Sequence, residues 1–198
     1  MVPVPSTPHP ILITDATRLP DPLPVMARLP RGAAVIIRHY EWSQKDRLAL
    51  LKRMKDLAGR RGIRLLLATP LPGVHPWIPD GIHLPEYIGR HGPLARILLW
   101  RRARADRLLS MACHDRTALG RARHLGLDMA LISPILPTAS HPGMPTLGPS
   151  RAAFIARGQK IPLAALGGLT RKTAQRLPSG TFMAIAGIFM GPFPLKPR

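Results

Sequence analysis

The chain has 198 residues, of which 24 are Pro and 17 Gly, together about a fifth, where about an eighth is usual. Apolar residues make up 45 %, enough for a sizeable core, which excludes wholesale disorder. Twenty-nine Lys and Arg against ten Asp and Glu leave a formal charge of +19, which attracts phosphates and polyanions at long range but does not by itself specify a nucleic-acid binder.

In chain order, short apolar runs alternate with longer amphipathic ones. Ile11 to Thr14 and Ala33 to Arg38 are strand candidates. Ser43 to Gly59 switches to helical spacing, with Leu48, Leu51, Met54 and Leu57/Ala58 inward and Lys45, Lys52 and Lys55 outward. Ser43 stands where an N-cap belongs, and Gly59 and Gly62 can end the helix. Ile63 to Ala68 is a β run, residues 70–79 are Pro-rich, and Gly81 to Leu84 is a short strand. Pro93 to Ala105 is a helix, Leu108 to Cys113 a strand, and Arg116 to Leu125 a helix that Gly126 stops. Met129 to Ser133 is a strand, followed by a long loop to Gly148 and a helix from Ser150 to Ala156. Ile161 to Leu166 (strand), Arg171 to Leu177 (helix) and Phe182 to Ala186 (strand) complete the series.

Eight β runs separated mostly by helical ones require parallel pairing, because each crossover needs a helix. The expectation is a single-domain (β/α)₈ TIM barrel spanning 1–198. Residues 1–10 form a Pro-rich lead and 189–198 a Pro-rich tail, so the eighth helix is reduced or missing. Pro192, Pro194 and Pro197 exclude a regular helix there, and Phe189, Phe193 and Leu195 could pack as an extended tail or against a second subunit, which suggests a homodimer.

The single cysteine, Cys113, excludes an internal disulfide and a cysteine-only zinc site. The stretch Leu177 to Leu195 is broken by Pro and Gly, and the N-terminus lacks a basic n-region, so no membrane span or signal peptide is expected and the chain reads as cytoplasmic. No zinc-finger or RNP-type motif and no aromatic platform accompany the charge. Arg90, Arg96, Arg101, Arg102, Arg104 and Arg107, clustered around Ile97 to Trp100, read as a solvated basic helix face rather than an RNA patch.

A barrel gathers its chemistry at the C-terminal ends of its strands. The positions so placed are Asp15, Arg38, Ala68-Thr69, His83, His114, the loop Ser133 to His141, Gly167-Gly168 and Ala186-Gly187. Asp15 reads as a cap of the first turn and His83 as a group packed under the loops. Cys113 precedes His114 by one residue and so points to the opposite face, which argues against a Cys–His nucleophile. Glu86 is too isolated to make a metal site, and the 138–143 loop is a lid candidate.

Several stretches, in order, carry a resemblance. They are Ile13-Thr14-Asp15, Gly81-Ile82-His83-Leu84, Leu131-Ile132-Ser133-Pro134-Ile135-Leu136-Pro137-Thr138, and Ile161-Pro162-Leu163-Ala164-Ala165-Leu166-Gly167-Gly168-Leu169. From about Ile11 to Ile188 the chain resembles the thiamine phosphate synthase/TenI family, whose fold is a TIM barrel. The family's synthase joins a pyrimidine diphosphate to a thiazole phosphate with Mg²⁺, held by aspartates after strands three and four. Here Ala68-Thr69 stands in place of Asn-Asp, and Ile88, with Glu86 nearby, in place of the second aspartate. Of the Gln-x-Arg-x-Lys segment only Arg38 is kept, His141 replaces a lysine, and Ala112 replaces a serine.

The thiazole-phosphate half is better matched. Thr138 and Ser140 match a hydroxyl pair, Gly168 the glycine after strand seven, and Ile185-Ala186 the turn after strand eight. The resemblance thus implies a phosphate site built from Arg38, His83, Thr138, Ser140, His141, Gly167, Gly168, Ile185 and Ala186. TenI proteins of the family are thiazole tautomerases whose histidine after strand five matches His114, a group suited to accept and return a proton near neutral pH. The implied function is a metal-independent tautomerase of a thiazole phosphate. The alternatives are a synthase with a degenerate Mg²⁺ site, and a non-catalytic or regulatory phosphate-binding barrel.

Overall fold

Each β run gives way to a Gly, Pro or polar residue, and in the computed structural model these runs pair in chain order. The structure describes residues 9–68, 80–138, 143 and 145–188. The strands are β1 (His9–Ile13), β2 (Ala34–Ile37), β3 (Arg64–Ala68), β4 (Gly81–Leu84), β5 (Leu108–Cys113), β6 (Met129–Ile132), β7 (Leu163–Leu166) and β8 (Ala184–Gly187). All neighbours are parallel, and β8 pairs with β1, so the sheet closes as the eight-stranded barrel expected from the alternation. The 189–198 tail, and with it any eighth helix, lies outside the described residues.

Alternation along the strands divides the core into two layers. Ile11, Ile13, Ile36, Leu66, Ala68, Leu131, Ala164, Ala184 and Ala186 fill the barrel. The residues alternating with that inward phase, among them Leu12, Val35, Ile37, Leu65, Leu67, Ile82, Leu84, Leu109, Met111 and Cys113, pack outward under the helices. At the strands' N-terminal ends two carboxylates cap free backbone donors: Asp80 accepts Leu65 N–H at 2.7 Å, and Asp128 accepts Leu109 N–H at 2.7 Å. These acids serve the stability end of the barrel, away from the mouth.

The helices are α1 (Leu23–Met26), α2 (Gln44–Arg61), α3 (Glu86–His91), α4 (Leu94–Arg102), α5 (Arg116–His124), α6 (Gly148–Ala156) and α7 (Arg171–Ala174). In α2 the Ser43 hydroxyl accepts Asp46 N–H and Gly62 closes the helix at φ 62, a left-handed conformation that suits glycine. Its buried stripe is Arg47, Leu50, Leu51, Met54 and Ala58, so Arg47 and Leu50 take places expected for Leu48 and Leu57, which are only partly buried. Two short helices, α1 and α3, fall where no helix was expected, because four or six residues carry too little periodicity to register. Helix α7 stops at Ala174 rather than Leu177.

The arginines near α4 are largely spoken for. Arg101 donates to Arg107 O, Gly126 O and Asp128, Arg104 pairs with Asp106, and Arg107 donates to Trp100 O and stacks over its ring. Among the described residues no helix is long and apolar enough to cross a membrane.

Candidate active site

Strand β5 ends at Cys113, which points outward, so the next residue turns to the mouth. There the Ser133 N–H donates to Cys113 O at 3.1 Å and draws the start of the β6 loop alongside. The His114 Nδ1 lies 2.6 Å from Ser133 O. A carbonyl only accepts, so Nδ1 carries the hydrogen and, in the neutral ring, Nε2 carries the lone pair. The side chain is 51 % exposed, open to an incoming molecule. The next residue, Asp115, caps α5 through Ala118 N–H at 2.7 Å and so fixes the turn.

Glu86, in the first turn of α3, reaches the same corner. Its Oε1 pairs with Arg90 and with Arg121 (3.5 Å), while its Oε2 accepts the His114 backbone N–H at 3.1 Å and lies 3.9 Å from His114 Nε2. None of these partners is a metal-ligating side chain beside a second carboxylate: Arg90 lies four residues on, and His114 and Arg121 lie 28 and 35 residues further along the chain.

A second sector forms at the exits of β1, β2 and β3. Asp15 accepts the Thr17 and Arg18 N–H groups, the turn cap expected of it, and also pairs with Arg18 (2.6 Å) and Arg38 (3.0 Å). The Arg18 guanidinium, above all, holds the Asp15 carboxyl well below the usual carboxylate range. Arg38 N–H donates to Thr14 Oγ1, whose hydroxyl in turn meets His39 Nδ1 at 2.7 Å. Arg47, only 7 % exposed, donates to Ala68 O and has no partner for its Nε. A cation is thus packed against the exit of β3.

His83 lies beneath, on the inward phase of β4, 6 % exposed and 2.9 Å from the Ser110 hydroxyl of the neighbouring strand. Burial, helped by the charge of Arg38, pushes its imidazole down to about 4, so it is neutral at physiological pH. It forms a floor to the mouth, as its packed position in the sequence suggested.

The β7–β8 side is built on close backbone approach. Gly167 (φ 101) and Gly168 (φ 64) take left-handed conformations. A Cβ on Gly167 would sit 2.9 Å from Pro134 Cα, and one on Gly168 2.8 Å from Leu136 Cβ. The same loop is tied down by Ile135 N–H to Leu166 O (2.9 Å) and Leu136 N–H to Gly167 O (3.1 Å). The two glycines are therefore needed first for the seam between the β6 loop and β7. Thr138 is the last described residue before a gap, and Ser140 and His141 lie outside the described residues. Ile185 lies inside β8, paired with both β1 and β7, and its side chain packs in the outer layer under the helices. Ala186 fills the barrel interior.

The donors present do not fit a resident Mg²⁺. Ala68 is apolar, Thr69 lies outside the described residues, Ile88 is buried, and the carboxylates of Asp15 and Glu86 are committed to arginines and N–H groups. No cluster of three metal-ligating side chains forms among the described residues. Cys113 is fully buried, and burial raises its thiol to about 12, consistent with a packing role.

Four participants escaped the sequence reading: Glu86 as partner of His114, Ser133 through its carbonyl, Ser110 under His83, and Arg47. A backbone acceptor leaves no trace in side-chain identity. Arg47, by contrast, sits between buried positions of an amphipathic helix, and that misplaced charge was a readable signal.

Comparison with known proteins agrees with this fold. The thiamine monophosphate synthase family profile matches residues 11–188. A Geobacter sulfurreducens protein named "Putative thiamine-phosphate synthase" is 31 % identical over 137 residues, 68 % of this chain and 62 % of that protein's length. An Aquifex aeolicus protein named "Putative thiamine-phosphate synthase 2" is 24 % identical over 82 % of this chain and 84 % of its own. The solved thiamine phosphate pyrophosphorylase from Pyrococcus furiosus superposes with a TM-score of 0.71 at 17 % identity, covering 90 % of this chain and 84 % of that one. The chain belongs to the thiamine monophosphate synthase family.

Proposed function

We propose that this family member binds a thiazole phosphate at the barrel mouth and moves a proton on it, with His114 as the carrier. The observation that carries the reading is the 2.6 Å contact of His114 Nδ1 with Ser133 O, which leaves Nε2 as the basic atom on a half-exposed ring at the mouth. That nitrogen accepts a proton from the substrate and returns one at a second position, with no net change of charge or oxidation state. The Gly167-Gly168 backbone and Arg38 are the groups offered to the phosphate, and the resemblance adds Thr138 together with Ser140 and His141, which lie outside the described residues.

A second reading, coupling of a pyrimidine diphosphate to a thiazole phosphate, draws on the names of the relatives. In that case Mg²⁺ would arrive with the diphosphate, since the chain's own donors do not fit it.

A paired assay on the purified protein separates the two: isomerisation of a thiazole carboxylate phosphate, and formation of thiamine phosphate from both synthase substrates with Mg²⁺. Isomerisation that falls by roughly 10² to 10⁴ in His114→Gln, with ligand affinity within a few-fold, is expected for loss of one acid–base group. Efficient coupling without isomerisation would overturn the proton-transfer reading.

A further inference from the structure

Glu86 divides its two oxygens. Oε1 faces the arginines, Arg90 on its own helix and Arg121 on α5, whereas Oε2 is turned to His114 alone, bonded to its backbone N–H at 3.1 Å and 3.9 Å from Nε2. A carboxylate needed only as a counter-ion for two arginines would be free to present either oxygen to them. The Glu86 side chain is 10 % exposed, so water screens its charge weakly at this corner.

The His114 ring is held from two sides. Ser133 O fixes the hydrogen on Nδ1, and Glu86 anchors the backbone and lies beside the remaining nitrogen. At 3.9 Å the carboxylate is too far to hydrogen-bond Nε2, so it leaves that lone pair open to a substrate. It is close enough to act on the charge that appears when Nε2 is protonated. The other charged groups at this corner are Arg121 and Arg90, both directed at Oε1, and Asp115, whose Oδ1 is committed to Ala118 N–H.

We infer that Glu86 is the positioning residue of the proton-transfer centre: it orients His114 through the backbone N–H and supplies the counter-charge to the imidazolium formed in the reaction. This rests on the proton-transfer reading above. In the step, Nε2 takes a proton from a substrate carbon, the bonding pair stays in the substrate, and the imidazolium then returns a proton at the second position. Glu86 stays ionised throughout and takes no proton.

The test compares the parent, Glu86→Gln and Glu86→Asp. Glu86→Gln removes the charge at nearly constant size. It should lower kcat for isomerisation about tenfold or more, the order expected for a charge pair at this separation, and leave KM within about twofold. Glu86→Asp keeps the charge on a shorter arm and should recover a large part of kcat, which a merely structural role would not produce. In parallel, NMR of the ligand-free proteins reads the anchor without any activity: the His114 amide proton, bonded to a carboxylate in the parent, should move upfield in Glu86→Gln. Unchanged kcat in Glu86→Gln overturns the inference, as does equal loss in the Gln and Asp variants. If the parent does not isomerise, the proton-transfer reading fails and the His114 resonances decide the anchor alone. A shift upholds the positioning by Glu86, and no shift overturns it.

Discussion

Arg38 reaches from the end of β2 to Asp15 Oδ2, 3.0 Å away, and shares that one oxygen with Arg18. The other oxygen, Oδ1, caps the β1 turn by accepting two backbone N–H groups. One side chain thus closes a turn and restrains a mouth arginine, and the two duties lie on different atoms.

Asp15→Asn tests that division. The amide oxygen can still cap the turn, but both arginines lose their counter-charge. These pairs are partly exposed, so the expected loss of stability is modest, about 1 kcal/mol by urea denaturation. Arg38, released, should bind inorganic phosphate more tightly, as read by calorimetry. Weaker phosphate binding would mean that Arg38 acts only when Asp15 holds it.

His83 sets an acid limit on stability. Its folded value of about 4 lies below the ordinary 6.5, so the folded protein holds it neutral while the unfolded chain protonates it first. Stability is therefore fully present above pH 6.5 and declines as pH falls toward 4, by about 3 kcal/mol over the window. Asp15, shifted down, adds a separate loss at lower pH, below its ordinary value of 3.8. Urea denaturation at stepped pH should show both slopes. In His83→Gln the slope between 6.5 and 4 should become shallower, with a remainder from His39, which burial also holds below its ordinary value, while the lower slope stays; an unaltered upper slope would refute the assignment.

What the sequence revealed follows from what local patterns can encode. The eight strands were legible because buried parallel strands are near-continuous apolar runs, and the barrel followed from their alternation with helices. The positions of Asp15, Arg38, His83 and His114 at strand ends were legible for the same reason. Their partnerships were not. Thr14 with His39, His83 with Ser110, and Glu86 with His114 join residues 25 to 28 positions apart, across strands whose register only the closed barrel defines. The seam that Gly168 makes with residues 136 and 137 was not legible either, because it depends on the path of a loop, which carries no periodicity.

That seam makes Gly168→Ala a folding test. The substitution places a methyl against the Pro137 carbonyl and Leu136 at a backbone angle that L-residues rarely adopt. It should cost about 1 to 3 kcal/mol in urea denaturation. Phosphate-ligand binding should be compared only at temperatures where the variant is fully folded. A variant as stable as the parent would show that the β6 loop does not lie against β7 as described.

Cys113 should be chemically silent in the native protein. Burial both hides the thiol and opposes its ionisation, so alkylation by iodoacetamide at pH 8 requires an opening of the β5–α5 layer. Labelling in the native state is expected to be slower than in 6 M guanidinium by about 10² or more, and Cys113→Ala should isomerise at the parental rate. Rapid native labelling would contradict the outward packing of β5.

Ser133 presents two acceptors to the His114 ring, and they are unequal. The carbonyl lies 2.6 Å from Nδ1, a short bond, whereas the hydroxyl oxygen lies 3.4 Å away, at the edge of hydrogen-bond range. If the carbonyl fixes the ring, the identity of the side chain is nearly immaterial. Ser133→Ala keeps the carbonyl and removes the hydroxyl. It should leave the neutral tautomer with its hydrogen on Nδ1, visible in the ¹⁵N shifts of the two ring nitrogens, and keep the isomerisation rate within about threefold. Were the hydroxyl the true partner, the same change would free the ring: the tautomers would mix, and the rate would fall toward that of His114→Gln. The backbone of residue 133, not its side chain, is then what makes Nε2 the basic nitrogen, and a single alanine substitution distinguishes the two arrangements.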